Sequence, residues 1–233
     1  GAVSFMDLYS LVTGLIGQNG RRGALMLSIS CEHPDLEDFI EIKSDLDRVT
    51  KANISVRITD KFMEAVKNDE KLILSFTREE SGETITKEIN AKEMFKKLCE
   101  MNWDYAEPGI LFWDRISNYN LLSNDPNFSY AGTNPCAEEP LPAGGSCLLG
   151  SINLSEFVVN EKFDFESFEG TVHQAVIALN EVLDEGLPLH PLQEQKDSVR
   201  DWRQIGLGIF GLADMLIKMN IRYGSLESIN LCD

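Results

Sequence analysis

The alternation of short apolar segments with amphipathic helical segments most constrains what this chain can fold into. Residues 24–29 and 53–58 have the apolar or alternating pattern of strands. Helical patterns follow them at residues 33–43 and 60–66, and Asp60 is placed to cap the second helix. Residues 72–76 and 84–89 flank Ser81-Gly82, which predicts a hairpin. Strands that alternate with helices predict an α/β fold.

The remainder of the chain continues this pattern around one irregular segment. A first helix is predicted from Phe5 to an end around Gln18-Asn19-Gly20. The further predicted elements are helices at 91–102, 172–187 and 199–219, the last interrupted by glycines, and apolar or strand-like runs at 108–112 and 148–159. Residues 116–146 are dense in Asn, Ser, Pro and Gly and show little periodicity. Long irregular segments inside compact domains are usually functional. This one contains Cys136.

Charge and cysteine content narrow the classes of partner. The formal net charge of −17 argues against polymeric nucleic acid and anionic membrane surfaces, although a local pocket can still bind a small anion. The sequence shows neither an apolar run of about 20 residues nor a basic signal peptide. Five cysteines in a chain of this size predict a reducing cytoplasm and reactive or free thiols. The sequence starts with Gly1, not Met, directly before an apolar helical pattern, and it stops at Asp233 without a helix cap or polar tail. We therefore expect a piece of a longer protein.

The segment Asn134-Pro135-Cys136-Ala137-Glu138 concentrates reactive side chains. Pro135 within it and Pro140 shortly after it favour extended or turning backbone. In an extended segment, residues two apart face the same side, so Asn134, Cys136 and Glu138 would present an amide, a thiol and a carboxylate together. Such a trio can hold a hydroxylated substrate, remove a proton and react through sulfur. A polar loop with an incidental cysteine remains the alternative on these residues alone.

Several motifs occur in the order seen in the catalytic subunits of ribonucleotide reductases, and the chain resembles that family along nearly its whole length. The motifs are Gly1-Ala2-Val3-Ser4-Phe5-Met6, Arg21-Arg22-Gly23-Ala24, His33-Pro34-Asp35, Asn53-Ile54-Ser55-Val56, Asn134-Pro135-Cys136-Ala137-Glu138, Gly150-Ser151-Ile152-Asn153-Leu154, and Ile205-Gly206-Leu207-Gly208 through Ala213-Asp214-Met215-Leu216. The resemblance implies an α/β barrel of ten strands with an inserted finger loop. Residues 1–233 would be a fragment of a single catalytic barrel domain, truncated at both ends.

The resemblance also implies residue roles in reducing ribonucleoside di- or triphosphates to deoxyribonucleotides for DNA replication. Cys136 would form a transient thiyl radical that takes the 3′-hydrogen of the ribose. Glu138 would accept the 3′-hydroxyl proton, and Asn134 would hydrogen-bond the substrate hydroxyls. Cys147, 11 residues after Cys136, would supply half of the reducing dithiol, with its partner expected upstream of Gly1. We therefore expect the isolated chain to be inactive.

The short separation of Cys136 and Cys147 resembles the adenosylcobalamin-dependent class of these enzymes. That class implies adenosylcobalamin, an external dithiol reductant such as thioredoxin, and a dNTP or ATP effector, and we expect a homodimer. By the same resemblance, Gln18 to Arg22 and Ser44 to Lys51 occupy the places of two effector-sensing loops. The candidate contacts there are Gln18, Arg21, Arg22, Arg48 and Lys51. Solvated surface charge is the alternative for each of the four basic residues.

Two other functions are considered. Residues 206–211 match G-x-G-x-x-G, the pattern of NAD-dependent oxidoreductases, but their helical spacing favours glycines that permit close helix packing. An inactive nucleotide-binding remnant is the other alternative. No metal ligand set is predicted, since the three histidines are far apart and neither C-x-x-C nor H-E-x-x-H occurs. Cys31, Cys99 and Cys232 are interpreted as structural.

Overall fold

The computed structural model describes residues 1–16, 21 and 23–233, and the chain divides into two compact units, residues 1–140 and 141–233. The predicted end of the first helix at Gln18-Asn19-Gly20 lies outside the described residues. The elements up to the boundary are α1 (Ala2–Leu15), β1 (Met26–Ser30), α2 (Leu36–Glu41), β2 (Asn53–Ile58), α3 (Asp60–Asn68), β3 (Lys71–Thr77), β4 (Thr84–Asn90), α4 (Ala91–Tyr105), β5 (Gly109–Phe112), α5 (Trp113–Asn118), β6 (Gly132–Thr133) and β7 (Pro140–Leu141).

A parallel sheet of order β1-β2-β5 forms the centre of the first unit. Ile29 pairs with Val56, and Val56 pairs with Ile110, so β2 is hydrogen-bonded on both sides. Consecutive side chains of β2, from Ile54 to Val56, are buried, as expected of a parallel strand covered on both faces. The bounds of β2 are those that the sequence pattern predicts. The parallel sheet and its helices confirm the predicted α/β class.

Two helices of this unit begin at side-chain caps. Thr59, not Asp60, caps α3, because its hydroxyl accepts a hydrogen bond from the amide of Phe62 at 3.2 Å. The prediction of Asp60 as the cap was therefore wrong by one residue. Asn90 caps α4 by accepting from the amide of Glu93 at 2.9 Å. Each cap satisfies an amide that the first helical turn cannot pair internally.

The predicted hairpin is confirmed as the antiparallel pair β3-β4, and an ion cluster joins it to neighbouring helices. Glu37 of α2 accepts from Lys87 of β4 at 2.8 Å and from Lys97 of α4. Lys97 also pairs with Glu41 at 2.7 Å. The hydrogen bonds from Lys87 and Lys97 lower the pKa of Glu37 to about 2. The ionised carboxylate of Glu37 therefore stabilises this unit.

We expect Glu37→Gln to lower the free energy of unfolding at pH 7 by about 1–2 kcal/mol, after allowing for solvent screening of a partly exposed pair. A carboxylate whose pKa is lowered on folding stabilises above its ordinary pKa of 4.5, and that stability is lost as the pH falls towards about 2. The difference in free energy of unfolding between Glu37→Gln and the unsubstituted protein should therefore shrink as the pH falls from 4.5 towards 2. Urea unfolding at pH 7, 4 and 2.5 measures it. Glu88→Gln, which removes only the exposed pair with Lys71, is the control and should cost less. Equal losses for both variants would contradict the prediction.

The second unit is built around the parallel pair β8-β11. Its elements are β8 (Leu148–Asn153), β9 (Val158–Val159), β10 (Lys162–Phe163), α6 (Phe165–Gly186), α7 (Gln193–Trp202), β11 (Ile205–Phe210), α8 (Leu212–Lys218) and α9 (Leu226–Cys232). The strand predicted over 148–159 is shorter: β8 ends at Asn153, whose side chain caps a 3₁₀ turn over Leu154–Phe157. A small core contains Leu154, Met215 and Leu216. None of the helices described here is long and apolar enough to cross a membrane.

The prediction of one glycine-interrupted helix over 199–219 was wrong. Residues 205–210 form β11, with Gly206 opposite Leu149 and Gly208 opposite Ser151. Gly211, at φ +74°, ends the strand and precedes α8, and a Cβ there would lie 2.1 Å from Oδ1 of Asn153. Glycine is therefore required at that junction. The first two glycines lie inside a paired strand, whereas a dinucleotide-binding turn needs them between strand and helix.

Candidate active site

Cys136 lies in a tight turn closed by Asn134 and Glu139. The amide of Ala137 donates to the carbonyl of Asn134 at 3.0 Å, which makes residues 134–137 a β-turn. The amide of Asn134 donates to the carbonyl of Glu139 at 3.2 Å. The amide of Glu139 returns a bond of 3.0 Å to Oδ1 of Asn134. Asn134 therefore fixes both ends of the short loop that carries the thiol.

This turn changes the argument from alternate spacing. Asn134, Cys136 and Glu138 do lie on one short loop, but its backbone turns instead of extending, so their separation by two residues does not set their directions. Oδ1 of Asn134 is engaged by the amide of Glu139, so the Nδ2 group is the part of this side chain suited to a substrate hydroxyl. The thiol of Cys136 and the carboxylate of Glu138 are both exposed.

Ala137, between Cys136 and Glu138, has φ +71°. This left-handed conformation is uncommon for a residue with a Cβ and costs about 1–3 kcal/mol. Such outliers persist where the surroundings fix them, and they are concentrated at functional sites. Here the conformation is fixed by two hydrogen bonds that Asn134 accepts, one from the amide of Ala137 and one from the amide of Glu139.

Two side chains of β2 hold the backbone that leads into the turn. Nδ2 of Asn53 donates to the carbonyl of Pro135 at 2.9 Å. Nη1 of Arg57 donates to the carbonyl of Ala131 at 3.4 Å, and its guanidinium lies over the ring of Trp113 at 5.1 Å. Burial lowers the pKa of Arg57. No spacing rule in the sequence indicated either contact.

Two buried polar atoms near the turn have no hydrogen-bond partner among the described residues. They are Nε of Arg57 and Oγ1 of Thr133, the residue before Asn134. Buried polar groups normally have partners, and an exception calls for water, an ion or a ligand. This part of the first unit is therefore able to accept further polar groups.

Cys147 belongs to the second unit and directly precedes β8. It is half-buried. The amide of the next residue, Leu148, donates to the carbonyl of Gln204 at 3.3 Å. Upstream, Gly144 has φ +65°, and a Cβ there would lie 2.7 Å from Cγ of Glu194, so only glycine fits this approach to α7. The position of the Cys147 backbone is thus set from both sides.

The candidate effector residues have different surroundings. Gln18 and Arg22 lie outside the described residues, and Arg21 is exposed. Arg48 donates through Nε and Nη2 to Oδ2 of Asp7 in α1, and this pairing raises its pKa. Lys51 is exposed and lines a cavity of about 530 Å³ together with Asn53 and Pro135.

The other cysteines differ in exposure. Cys31 is fully buried in the core of the first unit, where burial raises its pKa, in keeping with a structural role. Cys99 and Cys232 are exposed, so burial in a core does not support the structural role that was predicted for them. In the described ranges, no cluster of three or more His, Cys, Asp or Glu side chains is arranged to hold a metal ion.

Comparison with known proteins gives a family for the whole chain. Residues 1–233 match the family model described as "Ribonucleotide reductase, barrel domain". The vitamin B12-dependent ribonucleoside-diphosphate reductase of Thermoplasma acidophilum is 39% identical over 99% of this chain and 30% of its own length. Its namesake from Mycobacterium tuberculosis strain CDC 1551 is 33% identical over 99% of this chain and 33% of its own. The vitamin B12-dependent ribonucleotide reductase of Streptomyces coelicolor is 32% identical over 97% of this chain and 26% of its own length.

The chain thus spans about a third or less of the length of these relatives. The family model matches the chain from end to end. The helices and parallel strands of the chain follow one another in the order of an α/β domain. The described residues form sheets of two and three strands and no closed barrel, as expected of part of one. The resemblance noted from the motifs is confirmed. The chain belongs to the ribonucleotide reductase barrel-domain family.

Proposed function

We propose that the protein containing this chain reduces ribonucleotides to deoxyribonucleotides by thiyl-radical chemistry, with adenosylcobalamin as the radical source. The observation that carries the proposal is the exposed Cys136 on a tight turn closed by Asn134 and Glu139, with Glu138 beside it. The printed names of the relatives support both the reaction and the cofactor.

Each residue of the turn has a role that its position permits. A sulfur-centred radical at Cys136 takes the 3′-hydrogen of the ribose, breaking C–H and forming S–H. Glu138 accepts the 3′-hydroxyl proton, and the exposed carboxylate is a suitable base. Nδ2 of Asn134 donates to a substrate hydroxyl. Two electrons and two protons then allow the 2′-hydroxyl to leave as water and place a hydrogen on C2′, and Cys136 returns its hydrogen to C3′.

The reduction requires two electrons and two protons, which a dithiol provides as it becomes a disulfide. Overall, a ribonucleotide and a dithiol give a deoxyribonucleotide, a disulfide and water. We assign Cys147 to one half of that dithiol and a cysteine elsewhere in the complete protein to the other half. An external dithiol protein such as thioredoxin would then reduce the disulfide.

The exposure of Cys136 is the feature of this chain that bears on the cofactor. Adenosylcobalamin, when bound, supplies the organic radical from which the cysteine radical is made. A thiol that receives a radical must be reachable, and Cys136 is exposed on its turn. This feature fits the cofactor. No residue of this chain is assigned to holding the corrin ring.

Regulation and assembly complete the proposal. Arg21, Arg48 and Lys51 are described and can contact a dNTP or ATP effector, and Gln18 and Arg22 are assigned with them from the resemblance. The half-exposed Arg48 would have to leave Asp7 to do so. We assign the chain to one catalytic barrel domain of a cytoplasmic homodimer that does not bind nucleic acid polymers or membranes.

The direct test is deoxyribonucleotide formation by the full-length protein. With adenosylcobalamin, a dithiol and each ribonucleoside di- and triphosphate, we expect product only when both cofactor and dithiol are present. Chromatography of the dephosphorylated products measures the yield. Absence of product with every substrate would overturn the proposal.

A titration with NADH separates the oxidoreductase alternative. Because Gly206 and Gly208 lie inside β11, we expect no binding at micromolar concentrations. Clear micromolar binding by calorimetry would favour the alternative instead.

A further inference from the structure

Two side chains of β2 hold the backbone that leads into the Cys136 turn. Asn53 binds the carbonyl of Pro135, next to the cysteine, and Arg57 binds the carbonyl of Ala131. Both contacts use a carbonyl oxygen as acceptor, so they fix the position of the main chain regardless of the side chains it carries. We call this pair, Asn53 and Arg57, the β2 clamp.

The spacing of the two clamp residues matches that of an extended segment, residues 131–135, which leads into the Cys136 turn. Asn53 and Arg57 are four residues apart on a strand, so they lie on the same face about 13 Å apart. Their acceptors, Ala131 and Pro135, are also four residues apart. Two anchors with matching separation hold a segment in register as well as in place.

Strand β2, which carries both clamp residues, is a rigid support. β2 is the central strand of the parallel sheet and is hydrogen-bonded to β1 and β5. Arg57 is further held by stacking on Trp113. Groups mounted on a hydrogen-bonded central strand are placed more accurately than groups on loops.

The backbone on either side of Asn53 is fixed by a separate ion pair. Nζ of Lys43 donates to the carbonyls of Val49 and Ala52, both at 2.7 Å, and pairs with Glu107 at 2.9 Å. Oε1 of Glu107 accepts from the amide of Ile54 at 3.1 Å. The residues before and after Asn53 are thus tied to one polar centre, which leaves the Asn53 amide aimed at Pro135.

We propose that Asn53 is a positioning residue for Cys136, acting through the carbonyl of Pro135 with Arg57 as the second anchor. This inference rests on the proposed function for its effect on turnover. A thiol that takes hydrogen from a sugar carbon must lie within about 3–3.5 Å of it, and a displacement of about 1 Å costs about 100-fold in rate. The short turn carries the thiol on exposed backbone, so its position depends on such anchors.

Asn53→Asp in the full-length protein tests the β2 clamp. The substitution keeps the shape of the side chain but replaces the NH₂ donor by an acceptor that repels the Pro135 carbonyl. We expect kcat to fall about 10- to 100-fold, with KM for the ribonucleotide within about threefold. Asn53→Gln keeps an amide donor. Its log kcat should therefore lie at least about a third of the way from that of Asn53→Asp back to that of the unsubstituted protein. Asn68→Asp is the matched control, because Asn68 is also exposed and bonds only to nearby Glu70.

Hydrogen exchange provides a readout that does not depend on turnover. The amides of Ala137 and Glu139 are bonded within the turn, and we expect them to exchange at least about fivefold faster in Asn53→Asp than in Asn68→Asp. If the unsubstituted protein forms no deoxyribonucleotide, the proposed function fails, and faster exchange alone would still support the clamp. Unchanged exchange, or an active protein whose Asn53→Asp variant keeps kcat within twofold, would overturn the clamp.

Discussion

Cys136→Ser in the full-length protein should abolish deoxyribonucleotide formation, with a loss of at least about 10⁴-fold in kcat. A serine O–H bond is much stronger than a cysteine S–H bond, so an oxygen radical does not form under conditions that generate a thiyl radical. Removing the group that carries out the chemistry gives losses of this order. Product formation under multiple turnover measures the effect, and the Kd of the substrate should stay measurable by binding.

The substitution should leave the fold intact. Cys136 is exposed, and the bonds of the turn are made by Asn134, Ala137 and Glu139, which the variant keeps. Cys99→Ser is the matched control, since Cys99 is also an exposed cysteine, on α4. We expect near-normal turnover for the control. Comparable turnover in Cys136→Ser and Cys99→Ser would remove Cys136 from the mechanism.

Local patterns predicted the first unit well. The sequence of β2 alternates with period two, and this pattern predicted its bounds correctly. It did not predict that Ile54, Ser55 and Val56 are all buried, because burial on both faces depends on the neighbouring elements. The hairpin β3-β4 follows from the turn residues between its strands. Cap residues were predicted less accurately, since Thr59 and Asp60 both suit a helix start and only the geometry selects Thr59.

Features that depend on long-range pairing were not predictable. Leu207 and Phe210 have helical spacing, yet pairing with β8, more than fifty residues upstream, makes residues 205–210 a strand. Tertiary pairing overrides local preference in such short apolar runs. The same holds for the candidate site. The motif around Cys136 was evident from the sequence, but the bond from Asn53 to Pro135 joins residues 82 apart.

Cys147→Ser should fail at a later step than Cys136→Ser. If Cys147 belongs to the reducing dithiol, the variant still forms the Cys136 radical and still removes the 3′-hydrogen, but it cannot deliver the two electrons. We expect multiple-turnover product formation to fall at least about 1000-fold. A substrate carrying tritium at C3′ should nevertheless lose label in Cys147→Ser and keep it in Cys136→Ser.

This pair of results separates a reducing role for Cys147 from a structural one. Cys147 is half-buried in front of β8, and serine is close to it in size, so thermal unfolding should change by no more than about 2 °C if packing is preserved. A structural role would instead reduce label loss and product together, with a lower Tm. Near-normal multiple turnover by Cys147→Ser would exclude it from the dithiol. Label loss without product, in a variant of unchanged Tm, requires that hydrogen removal and reduction use different cysteines, which is the division of labour that the two thiols of this chain are proposed to have.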